Sequence, residues 1–196
     1  VPATSAAALV AGTGTFAVTL KTAGSQTVTA SGGSLTSGTS SSVTVDPATA
    51  TKLQVLLPGE TAAPGTVSGK TGTASARTAG SSFNVTVNAV DAYWNTVTSA
   101  TQTIAITSSD ANAILPANAA LSSGTGTFAV TLRTAGSPTV TATVASGSAL
   151  TAGSSSSVVV DPGAVTKLQV LMPGESAAPG TASGKSGTAS ARTAGT

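Results

Sequence analysis

The segment Thr51–Gly80, TKLQVLLPGETAAPGTVSGKTGTASARTAG, returns at Thr166–Gly195, offset by 115, with four conservative changes: Leu57/Met172, Thr61/Ser176, Val67/Ala182 and Thr71/Ser186. A second block, GTGTFAVTLKTAGSQTVTA at Gly12–Ala30, returns as GTGTFAVTLRTAGSPTVTA at Gly124–Ala142, offset by 112. The later copy has three extra residues between Ala142 and Asp161, which accounts for the larger offset. Self-similarity at a fixed period means copies of one folding unit, so any fold assigned to one copy must serve the other. Residues 50–164 make one complete unit of about 115 residues, residues 1–49 the rear part of a preceding unit, and residues 165–196 the front part of a following one. Equivalents of Ser81–Leu115 are missing from both partial pieces. Near-identity of neighbouring copies points to recent duplication, and the chain is expected to sample a longer array.

Within the unit the apolar pattern has period two, the signature of a half-buried strand. Leu53, Val55 and Leu57 alternate with Lys52, Gln54 and Leu56; Phe83, Val85, Val87 and Ala89 alternate with Asn84, Thr86 and Asn88. Ile104 and Ile106, then Phe128, Val130 and Leu132, then Val140, Ala142 and Val144, and finally Val158 and Val160 continue the series. Ser, Gly, Pro, Asn and Asp punctuate the runs. Ala111–Ala120 is Ala-rich, but Pro116 makes it a poor helix. These six runs, with a seventh strand near Ala113–Leu121, predict an all-β fold: tandem immunoglobulin-like antiparallel β-sandwiches of about seven strands per unit.

Composition narrows the chemistry. Charged residues are 7% of the chain, against roughly 25% in an ordinary domain, and Ser plus Thr fill 64 of 196 positions. The surface must therefore be covered by hydroxyls. The eight Lys and Arg residues are scattered singly, which argues against nucleic acid as a partner. Without Cys there is no disulfide or thiolate site, and without His the commonest metal ligand and general base are missing. No apolar run reaches the roughly 18–20 residues of a helical membrane span. No cofactor and no enzyme activity are expected.

The stretches TAGSSFNVTVNAVDAYWNTVTS, ITSSDANAILPANAAL and GTFAVTLRTAGSPTVTAT resemble the tandem bacterial immunoglobulin-like repeats of very large surface proteins, with a more distant likeness to filamin-type domains. The resemblance covers the whole chain. It implies an extracellular or cell-surface stalk, adhesin or fibre whose partners are adjacent repeats or other copies of itself. The usual Asp-Ala-Tyr-Gly-Asn of such repeats reads Asp91-Ala92-Tyr93-Trp94-Asn95 here, so no left-handed backbone is expected at Trp94. Pro58–Ala79 is longer than the usual first connection.

Gly65–Gly72, GTVSGKTG, imitates a phosphate-binding loop, and GTASGKSG repeats it at Gly180–Gly187. That motif needs four residues between its first Gly and the Gly-Lys pair, with a helix to follow. Only Thr66-Val67-Ser68 intervene, Pro64 stands where the Gly is needed, and a Gly/Thr-rich stretch follows. The segment reads instead as a Pro/Gly surface loop or extended arm, and Pro58, Pro64 and Lys70 as candidate assembly contacts. Tyr93 and Trp94, the only Tyr and Trp, are either a pair that binds glycan or another subunit, or a hydrophobic cap on the sandwich. Glu60, Asp91, Asp110 and Asp161 are too dispersed for a calcium site; Asp91 with Asn95 is expected to organise a turn. Lys52 is expected to face outward. Thr166, Leu168 and Val170 belong to a spare first strand, Thr166–Met172, open to strand exchange with another copy.

Overall fold

In the computed structural model the described residues are Ala6 and 8–195; residues 1–5, residue 7 and Thr196, at the outer edges of the two partial segments, lie outside them. The chain divides into two compact units, Val1–Pro47 and Ala48–Thr196. The first contains β1 (Gly24–Gln26), β2 (Thr29–Gly32), β3 (Leu35–Thr39) and β4 (Val43–Val45), with β1 antiparallel to β4 and β2 to β3. The second contains β5 (Lys52–Leu56), β6 (Glu60–Ala62), β7 (Lys70–Gly72), β8 (Arg77–Thr78), β9 (Ser82–Val90) and β10 (Thr103–Ser108). It continues with β11 (Ala119–Ala120), β12 (Thr125–Thr131), β13 (Val140–Ser146), β14 (Gly153–Ser154), β15 (Val160–Asp161), β16 (Glu175–Ala177) and β17 (Lys185–Gly187).

The second unit is an antiparallel β-sandwich. One sheet runs β12-β9-β5 and the other β11-β10-β13-β14. The alternating residues Phe83, Val85, Val87 and Ala89 on β9 meet Ile104, Ile106, Val140 and Ala142 of the other sheet in one apolar cluster, closed by Leu53, Val55, Phe128, Val130 and Leu132. The first and last strands of the complete unit, β5 and β15, each have a parallel partner. Residues Arg77–Thr78 of β8 run beside Val160–Asp161 of β15, with Arg77 N donating to Val159 O and Ala79 N to Asp161 O, both at 2.8 Å. Leu53 N donates to Thr151 O at 2.9 Å and Thr151 N to Thr51 O at 3.0 Å, again parallel.

Several expectations are corrected. The seventh strand is only the two residues of β11, because Pro116 has no N–H for a ladder; Ile114 makes a separate bridge to Thr131. Pro58–Ala79 is no loose arm but contains the β6/β7 hairpin. Lys52 does lie on the outer face of β5, but that face is covered: Lys52 is partly buried, and Gln54 and Leu56 are buried outright. Thr166–Met172 forms no strand.

The partial segments show what the missing strands would do. Phe16 and Val18 are 39% and 50% exposed, whereas their equivalents Phe128 and Val130 are 2% and 0%. Leu168 is 93% exposed and its equivalent Leu53 is 2%. In the complete unit β5 takes its ladder from β9, and Ser82–Val90 has no copy elsewhere in the chain. Hairpins with local partners nevertheless recur. Thr29 and Thr39 Oγ1 lie 3.1 Å apart across β2/β3, as Thr141 Oγ1 and Ser154 Oγ lie 3.0 Å apart across β13/β14. Val28 N donates to Ser40 Oγ at 3.0 Å, matching Val140 N to Ser155 Oγ at 2.9 Å.

Phe128 lies in the shared core, and truncating a buried Phe costs about 3–5 kcal/mol. Phe128→Ala is therefore expected to unfold the sandwich or bring it close to unfolding, whereas Phe16→Ala leaves its stability unchanged. Paired denaturant melts measure the contrast; equal effects would refute the assigned core.

Candidate functional site

The hairpin that carries the GKT sequence is specified by its own glycines and hydroxyls. Gly59 and Gly72 have φ of 94° and 84°, and a Cβ on either would overlap backbone oxygen, Thr73 O for Gly59 and Gly59 O for Gly72. Only glycine permits that approach. Thr66 Oγ1 donates to Ala63 O at 2.7 Å and accepts from Gly69 N at 3.1 Å, which fixes the tip. Glu60 Oε2 accepts from Leu57 N at 2.9 Å, and Ser75 N donates to Pro58 O at 2.8 Å. The amides of Gly65, Thr66 and Gly69 are spent on Tyr93 O, Ala63 O and Thr66 Oγ1, and Lys70 Nζ is 2.8 Å from Glu60 Oε1.

The hairpin lies over the outer face of the β12-β9-β5 sheet. Gln54 Nε2 donates to Gly69 O at 2.8 Å, Asn88 Nδ2 to Gln54 Oε1 at 3.1 Å, and Thr125 Oγ1 to Asn88 Oδ1 at 2.7 Å. This ladder crosses all three strands and ends on the hairpin. Beside it, Glu60 Oε1 accepts from Ser156 Oγ at 2.6 Å, and Lys70 Nζ donates to the same hydroxyl at 2.8 Å. The Glu60 side chain is 2% exposed and that of Lys70 22%. Burial pushes the Glu60 carboxyl up, but Lys70, Ser156 and the Leu57 amide together hold it below its ordinary range.

Trp94 closes the other side. Its φ is 70°, so the left-handed backbone not expected of it is present. For a non-glycine residue this costs roughly 1–2 kcal/mol. Two groups of contacts offset it. Asp91 Oδ1 accepts from Tyr93 N at 2.8 Å and Asn95 N at 2.9 Å, and its Oδ2 from Asn95 Nδ2 at 2.9 Å and Ala48 N at 3.0 Å. The indole lies so close to Gly69 that a Cβ there would overlap it, and its Nε1 donates to Val67 O at 3.2 Å. Lys52 Nζ sits 3.4 Å from the ring centroid and donates to Ala92 O at 3.1 Å. The Asp91–Asn95 pair thus organises the turn it was expected to organise.

Lys52, Gln54, Ser68, Lys70, Trp94 and Ser154 line a groove of ≈370 Å³. Of the residues singled out in the sequence, Trp94 and Lys70 meet there. Pro58 and Pro64 lie on the same hairpin, and Gly65 N donates to Tyr93 O at 2.8 Å. Tyr93 is 42% exposed. Thr166, Leu168 and Val170 are exposed and belong to no strand. Lys52, Gln54, Glu60 and Ser156 were not foreseen as contact residues. The repetition of Lys-Leu-Gln and of Gly-Glu inside the copied block was the signal for the first three. Among the described residues, no three His, Cys, Asp or Glu side chains gather as a metal site. A comparison with protein-family models finds no match, and a comparison with curated proteins finds none.

Trp94 is the only Trp, so its fluorescence reports hairpin docking. Gly69→Ala places a methyl group against the indole, and its emission is expected to shift to the red while the far-UV spectrum stays β-type. Unshifted emission would contradict the packing.

Asp91 and Asp110 are pushed up by burial but held below their ordinary 3.8 by hydrogen bonds, chiefly from Asn95 for Asp91 and from Thr134 and Arg133 for Asp110. A depressed folded-state pKa contributes stability above the unfolded value and loses it as pH falls through the folded one. The denaturation midpoint is expected to stay level down to about pH 4 and to fall below it. Asp110→Asn lowers the plateau and flattens the acid limb; an unchanged limb would assign the acid sensitivity elsewhere.

Proposed function

We propose that this chain is a structural repeat module of an extracellular or cell-surface stalk or filament, with immunoglobulin-like sandwiches in tandem and adjacent repeats or other copies as its partners. The supporting observation is that the copied sequence forms the same local structure twice. Gln169 Nε2 donates to Gly184 O at 2.7 Å, as Gln54 does to Gly69 at 2.8 Å. Glu175 pairs with Lys185 at 2.6 Å, as Glu60 does with Lys70 at 2.8 Å. Met172 N donates to Glu175 Oε2 at 2.9 Å, as Leu57 N does to Glu60. A chain selected for one binding site has no need to repeat the hairpin; a chain selected for length does.

The parallel pairs that anchor the unit's first and last strands, β5 and β15, suit a load-bearing role. A pull on the C-terminal end draws β15 along its axis past β8, and a pull on the N-terminal end draws β5 along its axis past Thr151. Their hydrogen bonds are loaded together in shear rather than opened one at a time.

The adhesin reading would use Tyr93 and Trp94 to stack on a glycan. It is the weaker one, because the indole already packs on Gly69 and beneath Lys52. Strand exchange would run through Thr166–Leu171, which is identical to Thr51–Leu56 and needs the same partner, β9. Each strand docked would displace an identical one, so exchange gains no contact free energy. Continuous tandem packing is therefore the favoured form.

Single-molecule pulling tests the proposal. A unit of about 115 residues releases ~35–40 nm on unfolding, at roughly 3.3–3.6 Å per residue less its folded length. One such step is expected, at lower force in Arg77→Pro, which lacks the amide that bonds Val159. Unfolding with no resolvable force peak would overturn the load-bearing role.

A further inference from the structure

The second copy of the hairpin makes a contact that its own repeat does not supply. Asn112 Nδ2, on the complete sandwich, donates to Pro179 O at 3.3 Å and also to Thr134 Oγ1 at 3.2 Å. Gly180, with φ of 81°, lies against both side chains so closely that a Cβ would overlap Thr134 Oγ1 and press on Asn112 Nδ2. Pro179–Gly180 is the hairpin tip of the following repeat, and its equivalent in the complete unit is Pro64–Gly65.

We propose that Asn112 and Thr134 form a receiving plate for the Pro-Gly tip of the next repeat, so that the GKT-bearing hairpin is an inter-repeat clamp. The plate is organised before the tip arrives. Asp110 Oδ1 accepts from Asn112 N at 3.0 Å, and its Oδ2 accepts from Arg133 N at 2.7 Å and Thr134 N at 3.0 Å. One buried carboxylate thus holds both plate residues, which come from loops 22 residues apart in sequence. A polar cleft of ≈410 Å³, lined by Ser109–Asn112 and Thr134–Pro138, adjoins the plate.

The tip is chemically suited to two tasks at once. In the complete unit Gly65 gives its N–H to Tyr93 O of the same repeat. In the following copy Pro179 gives its carbonyl to Asn112. Donor and acceptor are different groups of one Pro-Gly pair, so a single hairpin can hold its own Trp-bearing loop and grip the preceding sandwich. Glycine is needed twice over, for the left-handed backbone and for the close approach. The copied block retains it at both positions while Val67 and Thr71 change.

The clamp rests on the tandem-module reading but fails separately from it, since the pulling step of the complete sandwich does not depend on residues 174–187. The test is ¹⁵N relaxation on the whole 196-residue chain. In the unaltered chain residues 174–187 are expected to tumble with the sandwich, with order parameters near ~0.85. In Asn112→Ala, which keeps the backbone amide bound by Asp110 and leaves the hairpin's own bonds untouched, they are expected to fall below ~0.6. Gly180→Ala, which attacks the contact from the other side, should do the same. Independent tumbling in the unaltered chain, or retention of a common correlation time in either variant, overturns the clamp.

Discussion

The carboxamide of Gln54 sits on the outer face of a three-stranded sheet, only 3% exposed, and has to find its hydrogen bonds there. In most sandwiches that face meets water. Here Gly69 O takes the amide proton, Asn88 supplies one to the Gln54 oxygen, and Thr125 supplies one to Asn88. A buried amide with partners costs little, whereas one that loses them costs about 1–3 kcal/mol. The ladder therefore does more than satisfy polar groups. It fixes where the hairpin lies, which brings Gly69 to the Trp94 indole and Lys70 to Ser156, and leaves Leu56 covered on a face that would otherwise be wet.

How much of this the sequence disclosed depends on the kind of signal each element carries. The inward residues of β9, β12 and β13 were legible because hydrophobic alternation records which side of a strand meets the core. The outer cover of β5 was not, since a Gln covered by a backbone carbonyl leaves the same mark as a Gln facing water. Lys52 reads outward and lies outward, but its position over Trp94 is set by a distant turn and leaves no mark in the sequence. The hairpin was read as an arm because its specification is not apolar. It resides in Gly59, Gly72 and Thr66, whose roles emerge only from backbone distances. Trp94 shows the limit of residue preference. Four hydrogen bonds to Asp91 hold the turn firmly enough to accept a left-handed tryptophan.

The copied blocks separate local from long-range specification. β16/β17 reproduces β6/β7 down to its ion pair, because every group that it needs lies within the copied block. The run after Thr166 has the sequence of β5 and none of its structure, because strand geometry there requires β9 as a partner. Glu175 displays the same division. Lys185 and the Met172 amide hold its carboxyl below the ordinary range, as Lys70 and the Leu57 amide help to do for Glu60. The third contact, a hydroxyl in the role of Ser156, comes from the far end of a complete repeat. Each hairpin is thus specified locally, and its contact with a sandwich hydroxyl is added from outside the copied block.

A surface so poor in charge cannot be organised by long-range electrostatics; its contacts must be set by shape and short hydrogen bonds. Threonine and serine suit that, since one hydroxyl can give and receive, as Thr66 does at the hairpin tip and Ser156 does beside Glu60. Contacts of this kind are weak singly and exacting in geometry, so they favour a partner whose position is already constrained. In the proposed tandem arrangement a neighbouring repeat on the same chain is such a partner: tethering would supply the high effective concentration that a lone Asn–carbonyl bond and a glycine contact do not. The same economy explains why the hairpin, rather than the core, carries the departure from a simple sandwich. The core needs only apolar alternation, while a joint between identical units needs a rigid, repeated and locally folded tip.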